Sequence, residues 1–179
     1  MQGTLAATVG PFPAGTRYDA GDPALLFWVH ATLVDTALRA SSALVGPLDP
    51  ATRAAYYAES IVVARLFGIP EALIPPDLGA FERWMRETIT GPTLAVGADG
   101  RQVAAAILRP PLWPGVQHAF RATNLLTVGL LPPPLRARFG LAWGPVRAAA
   151  FTTVTALSRQ TVPRLPEVVR VLPQARAVR

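Results

Sequence analysis

Apolar residues recur along this chain at the three- and four-residue spacings of helices that bury one face. The clearest run extends from Ala24 to about Leu44. Asp22-Pro23 opens it with a carboxylate N-cap followed by proline at the first helical position, where the missing N–H costs nothing. Gly46-Pro47 closes it. The same opening returns at Asp49-Pro50, and the helix it starts runs through Phe67 with Gly68 as its stop. A third helix is predicted over Leu78 to Thr90, capped by Asp77 after Pro75-Pro76 and ended by Gly91-Pro92.

The second half is punctuated more heavily. Thr93 to Gly100 reads as a loop, and Arg101 to Leu108 as a short helix halted by Pro110-Pro111. Gly115 to Leu130 makes a further helix between Pro114 and the Pro132-Pro133-Pro134 run. Leu135 to Phe139 allows a helical turn, Pro145 to Gln160 a long helix and Pro166 to Leu172 a short last one. Strand-like content is confined to Thr4 to Val9, which reads as a strand or an ordered arm. No repeat of solenoid period is present. The expectation is an all-α fold, a single compact domain over residues 1–179 with about six to eight helices.

Composition narrows the class. With 51% hydrophobic and 16% charged residues, a chain of 179 residues can bury one substantial core and is not intrinsically disordered. The mean hydropathy of +0.32 raises the question of a membrane span. Leu141 to Ser158 comes nearest, but Arg147 and the threonines 152, 153 and 155 interrupt it, so no transmembrane helix is expected and only peripheral contact stays open. Residues Met1 to Ala14 lack the basic start and apolar run of a secretory signal, and the expected address is cytoplasmic. The absence of cysteine removes disulfides, thiolate chemistry and cysteine-ligated metals. All 17 basic residues are arginines, scattered singly as in G+C-rich coding sequence, so the net charge of +6 does not imply a nucleic-acid partner.

Candidate chemistry is sparse. There is no Gly-x-Ser-x-Gly elbow, and Gly97 to Gly100 is too short and too far from a strand for a phosphate loop. With only His30 and His118, a multi-histidine metal cage is impossible. His30 stands out because helical spacing puts it with Leu26, Leu33, Val34 and Ala37 on an apolar stripe beside Phe27 and Trp28. Two readings are open on these grounds: a neutral core histidine bonded to a backbone carbonyl, or a single axial ligand to haem iron.

The run Trp28-Val29-His30-Ala31-Thr32-Leu33-Val34-Asp35 after Asp22-Pro23 resembles the signature helix of the MpaB-like oxygenase, or rubber oxygenase (latex-clearing protein), catalytic-domain family. The likeness continues through Val45-Gly46-Pro47-Leu48, Arg53, Tyr56 to Ser60 and Leu66 to Pro70. Looser echoes follow at Leu108 to Pro111, Leu126 to Pro132 and Arg138 to Trp143. It is strongest over 18–70 and looser over 71–147. The resemblance implies a helical oxygenase dependent on haem b, with His30 as proximal iron ligand, acting with dioxygen on an apolar, isoprenoid-like substrate. In the family several helices precede the signature and supply polar residues on the oxygen side; here 29 residues precede His30, which implies an N-terminally short member. The alternative is a non-catalytic helical remnant or interaction module that keeps the fold without haem.

The remaining candidates carry structural expectations. Tyr56, Tyr57 and Glu59 are expected to hold the fold rather than catalyse, and Asp22, Asp49 and Asp77 to cap helices. Trp28 is expected in the core and His118 at the surface. Arg39, Arg65 and Arg121 are arginines that could pair a haem propionate, though a solvated surface role is expected of each taken singly.

Overall fold

A computed structural model describes residues 2–110 and 114–166, with backbone alone at 114–119, 121 and 122. Among these residues the chain forms seven α-helices: α1 (Pro23–Leu44), α2 (Pro50–Leu66), α3 (Leu78–Thr90), α4 (Ala98–Leu108), α5 (Pro114–Leu130), α6 (Pro133–Arg138) and α7 (Pro145–Thr161). The fold is all-α, with a single two-stranded hairpin ahead of it.

That hairpin pairs β1 (Gln2–Thr4) antiparallel to β2 (Arg17–Asp19), and an isolated bridge joins Val9 to Phe12. Strand pairing therefore begins earlier than the Thr4 to Val9 pattern indicates. Its second strand, Arg17-Tyr18-Asp19, is too short for alternation to reveal. Helix α4 starts at Ala98 rather than Arg101, because the backbone N–H of Arg101 already bonds to the Gly97 carbonyl. The expected short helix over Pro166 to Leu172 falls outside the described residues, apart from Pro166.

Local chemistry explains the first three helices. Asp22, Asp49 and Asp77 each accept a backbone N–H with the side chain, from Ala24 at 2.8 Å, Thr52 at 2.9 Å and Ala80 at 2.7 Å. At the end of α2, Gly68 adopts a φ of +73°, which turns the chain so that the Ile69 N–H reaches the Ala64 carbonyl. Ile69 and Ala64 are both buried, the apolar contact that accompanies such a stop.

The main core lies between α1, α2 and α3. Phe27, Ala31, Val34 and Leu38 recur at three- and four-residue intervals along α1 and meet Tyr57 and Ala64 of α2 and Phe81, Met85 and Ile89 of α3. Ring contacts lock the layer: Phe27 lies 4.7 Å from Trp84, and Tyr57 4.9 Å from Phe81. Trp28 joins at the edge, 6.2 Å from Trp84, so it packs as expected. On another side α1 also packs against α5 and α7. There α5 and α7 approach closely, because a side chain at Gly129 would collide with the Phe151 ring.

Tyr57 donates its hydroxyl to the Pro75 carbonyl at 2.6 Å, fastening the α2–α3 connection to α2. Burial, with the Asp77 carboxylate adding to it, pushes its phenol up to about 12, so it remains a neutral donor at any working pH. Tyr56 and Glu59 point to solvent.

Helix C-termini are closed from a distance. Arg138 of α6 forks across the end of α3, donating to Leu94 at 2.7 Å, Gly91 at 2.8 Å and Thr90 at 3.3 Å. Ser158 and Arg159 of α7 donate to the Leu44 and Ala43 carbonyls at the end of α1. Asn124 of α5 does the same for Leu108, at the end of α4. Each uses a side chain to satisfy carbonyls at or just beyond the last turn of a helix.

Arg138→Ala is expected to cost about 2 kcal/mol in urea denaturation, since a half-buried charged donor leaves several carbonyls unpaired. Arg138→Lys should recover less than half of that, because a point charge cannot fork. Tyr57→Phe is expected to cost about 1 kcal/mol.

Candidate functional site

The candidate site is the seam between α1 and α2 on the side away from α3. His30 is half-buried there, on the flank of the α1 ridge rather than within it. Of the residues that spacing groups with it (Leu26, Leu33, Val34 and Ala37), only Val34 is in the core, and Leu33 is 66% exposed. The buried stripe is rotated to Phe27, Ala31, Val34 and Leu38, and the expectation of His30 on the core stripe is corrected accordingly. The reason is physical. Helix α1 is apolar on most of its circumference, so periodicity alone does not select the face that α3 covers.

The ring of His30 has two influences on it. Desolvation lowers its pKa below the ordinary 6.5, and the backbone of Ser60 on α2 acts in the opposite direction and more weakly. Burial dominates, so the imidazole is neutral at pH 7. Ser60 is buried, its own hydroxyl turned back to the Tyr57 carbonyl at 2.7 Å. The influence of α2 on His30 therefore comes from main chain, and it is invisible to sequence pattern.

Around this pair the surface is apolar. On α1, Leu26 and Leu33 stand one turn to either side of His30, while Leu25 and Val29 are exposed on the outer face of the helix. On α2, Tyr56, Val63 and Phe67 share the face of Ser60, and all three are exposed. Leu66 beside them is 82% exposed. A solvated helix pair normally presents polar residues outward, so this face is built to be covered or to bind something apolar.

The other candidate residues lie elsewhere. Arg39 is paired with Asp35 at 2.6 Å, and Arg65 with both oxygens of Glu71 at 2.6 and 2.8 Å. Both arginines are exposed and committed to carboxylates of their own chain. The side chains of His118 and Arg121 lie outside the described residues. No group of three or more His, Cys, Asp or Glu side chains is gathered as a metal cage among the described residues. No helix among them is long and apolar enough to cross a membrane.

A concavity sits on the opposite flank of the α1 ridge. It is an open cleft of about 420 Å³ between α1, α3 and the proline run that starts α6, and it does not include His30. Nothing in the sequence pattern marks it, because its walls come from segments some 90 residues apart.

With this geometry in place, comparison with known proteins is decisive for the family. The chain matches the family described as "ER-bound oxygenase mpaB/B'/Rubber oxygenase, catalytic domain" over residues 3–160. The chain belongs to this family. It is also similar to "Uncharacterized protein Mb2261" of Mycobacterium bovis and to "Uncharacterized protein Rv2237" of Mycobacterium tuberculosis. Each is 30% identical over 146 residues, covering 79% of this chain and 56% of the relative. The chain thus spans little more than half the length of the curated relatives it matches. No solved structure matches it.

Since burial lowers the His30 pKa, the unfolded chain takes up a proton there first as pH falls. The stability that His30 contributes is thus complete above pH 6.5 and is lost as pH falls through the window below it. An imidazole titration by NMR should place His30 below 6.5, its signal assigned by loss in His30→Gln. That variant should show a shallower fall in stability between pH 6.5 and 5 than the parent.

Proposed function

We propose that this oxygenase-family chain is a haem b-dependent oxygenase domain in which His30 is the axial iron ligand and the substrate is apolar, of isoprenoid type. One observation carries the reading: a neutral, half-buried imidazole opens onto an apolar surface in a member of an oxygenase family.

The residues present suit the group. A porphyrin needs one imidazole and a broad apolar contact, and the seam offers His30 with Leu26 and Leu33 on one side and Val63 and Phe67 on the other. Bound at His30, haem would supply the activation of dioxygen that the fold's own side chains do not.

The protein's part is to hold and tune. Desolvation keeps His30 unprotonated, and only the neutral ring has a lone pair for a metal. The Ser60 backbone can take the proton-bearing nitrogen, which fixes the ring's orientation and raises the basicity of the other nitrogen. The exposed leucines, valines and phenylalanine of α1 and α2 favour a hydrocarbon over a polar substrate. The intact seam is preorganised, since Phe27 and Ala31, which flank His30 in sequence, are locked in the core.

The deciding measurement is an absorption titration with hemin, with His30→Ala alongside. A Soret band in the parent that shifts or is lost in the variant supports the assignment, and equal bands in both remove His30 as the ligand. A band in neither would favour a helical interaction module that uses the same exposed apolar face to bind a partner.

A further inference from the structure

We propose that the cleft on the far flank of α1 is a binding site for an amphipathic carboxylate, separate from the His30 seam. Its floor is apolar and rigid: Leu38, Phe81, Met85 and Ile89 line it, and all four belong to the buried core. One wall is the Pro132-Pro133-Pro134 run, which has no backbone N–H to offer and little freedom to collapse into the space. At about 420 Å³ the cleft falls within the range of small-molecule sites, roughly 300–1,000 Å³.

The rim selects charge. Asp35 and Glu82 are the carboxylates there, and each is already held by an arginine of the same rim: Asp35 by Arg39, and Glu82 by Arg53. Arg86 is the third arginine, and no carboxylate is within ion-pair distance of it among the described residues. Three cations against two anions leave the rim with one uncommitted guanidinium. Arg86 lies in the last turns of α3, where a cation usually serves the helix's terminal carbonyls. Arg138 already does that work at Thr90 and Gly91. The geometry thus leaves Arg86 available for a single planar anion beside an apolar floor, and a carboxylate accepts two parallel N–H bonds from such a fork. A monoanion with an alkyl body satisfies both features.

The cleft and the His30 seam face different ways. Asp35, Arg39 and Ser42 project from α1 on one side of the Phe27-Ala31-Val34-Leu38 ridge, whereas His30 projects on the other, as 100° per residue requires. The inference therefore does not depend on haem.

The chain contains two methionines, Met1 and Met85, so a methyl-labelled sample gives one resonance from the cleft floor. Decanoate, added below its micelle concentration, is expected to move the Met85 methyl signal saturably, and to do so equally in His30→Ala. Arg86→Gln should weaken that binding at least tenfold while circular dichroism stays unchanged, and Arg86→Lys should recover part of it. Decyltrimethylammonium, with the same chain and opposite charge, should bind at least tenfold more weakly. Equal binding by Arg86→Gln, equal binding of the cationic probe, or a Met85 signal that never moves would each overturn the proposal. Loss of the decanoate response in His30→Ala would place the carboxylate at the seam and overturn it too.

Discussion

The packing of one ridge, Phe27-Ala31-Val34-Leu38, into the core it shares with α2 and α3 is the interaction on which the rest of the molecule depends. It buries the aromatic side chain of Phe27 against Trp84, and the absence of bulk at Ala31, which is completely buried, lets neighbouring helices come close. Once that face of α1 is committed, its other faces acquire their roles by rotation. The same helix then meets α5 and α7, presents His30 to α2 and presents Asp35, Arg39 and Ser42 to the cleft. A change that rotated α1 by one residue would move every one of these groups together.

The ridge alone does not hold so proline-rich a chain together. Nineteen prolines cut it into helices whose ends must be satisfied. At their N-termini α1, α2 and α3 solve this locally with the aspartates. At the C-termini of α1, α3 and α4 the donors come from α7, α6 and α5. Helices earlier in the chain are therefore capped by later ones, through hydrogen bonds that span up to 116 residues. Arg138 makes the most bonds of these donors and also frees Arg86 from the end of its own helix, so a structural bond in one place creates chemical capacity in another.

The two candidate sites illustrate opposite uses of apolar surface. At the cleft, core side chains form a floor beneath a charged rim. At the seam, leucines, valines and a phenylalanine face outward around a neutral histidine, at a cost in water contact that an isolated helical domain has no reason to bear. That cost fits the apolar substrate proposed for the seam. It equally explains why α1 and α2 read as more hydrophobic than their burial warrants.

Much of this was legible in the chain itself. Periodicity and caps located the seven helices to within a few residues, because Asp-Pro starts and glycine stops act over one turn and need no partner beyond it. The run around His30 marked both the family and the one histidine worth attention. What sequence could not decide was orientation. Helix α1 is apolar nearly all round, so only its contacts with the neighbouring helices determined that Phe27 goes inside and His30 to the flank. The Ser60 backbone beside His30, the fork of Arg138 and the cleft around Arg86 all join residues far apart in the chain. Local pattern records which side chains are available, and the tertiary contacts alone decide which of them are used up and which are left free to bind.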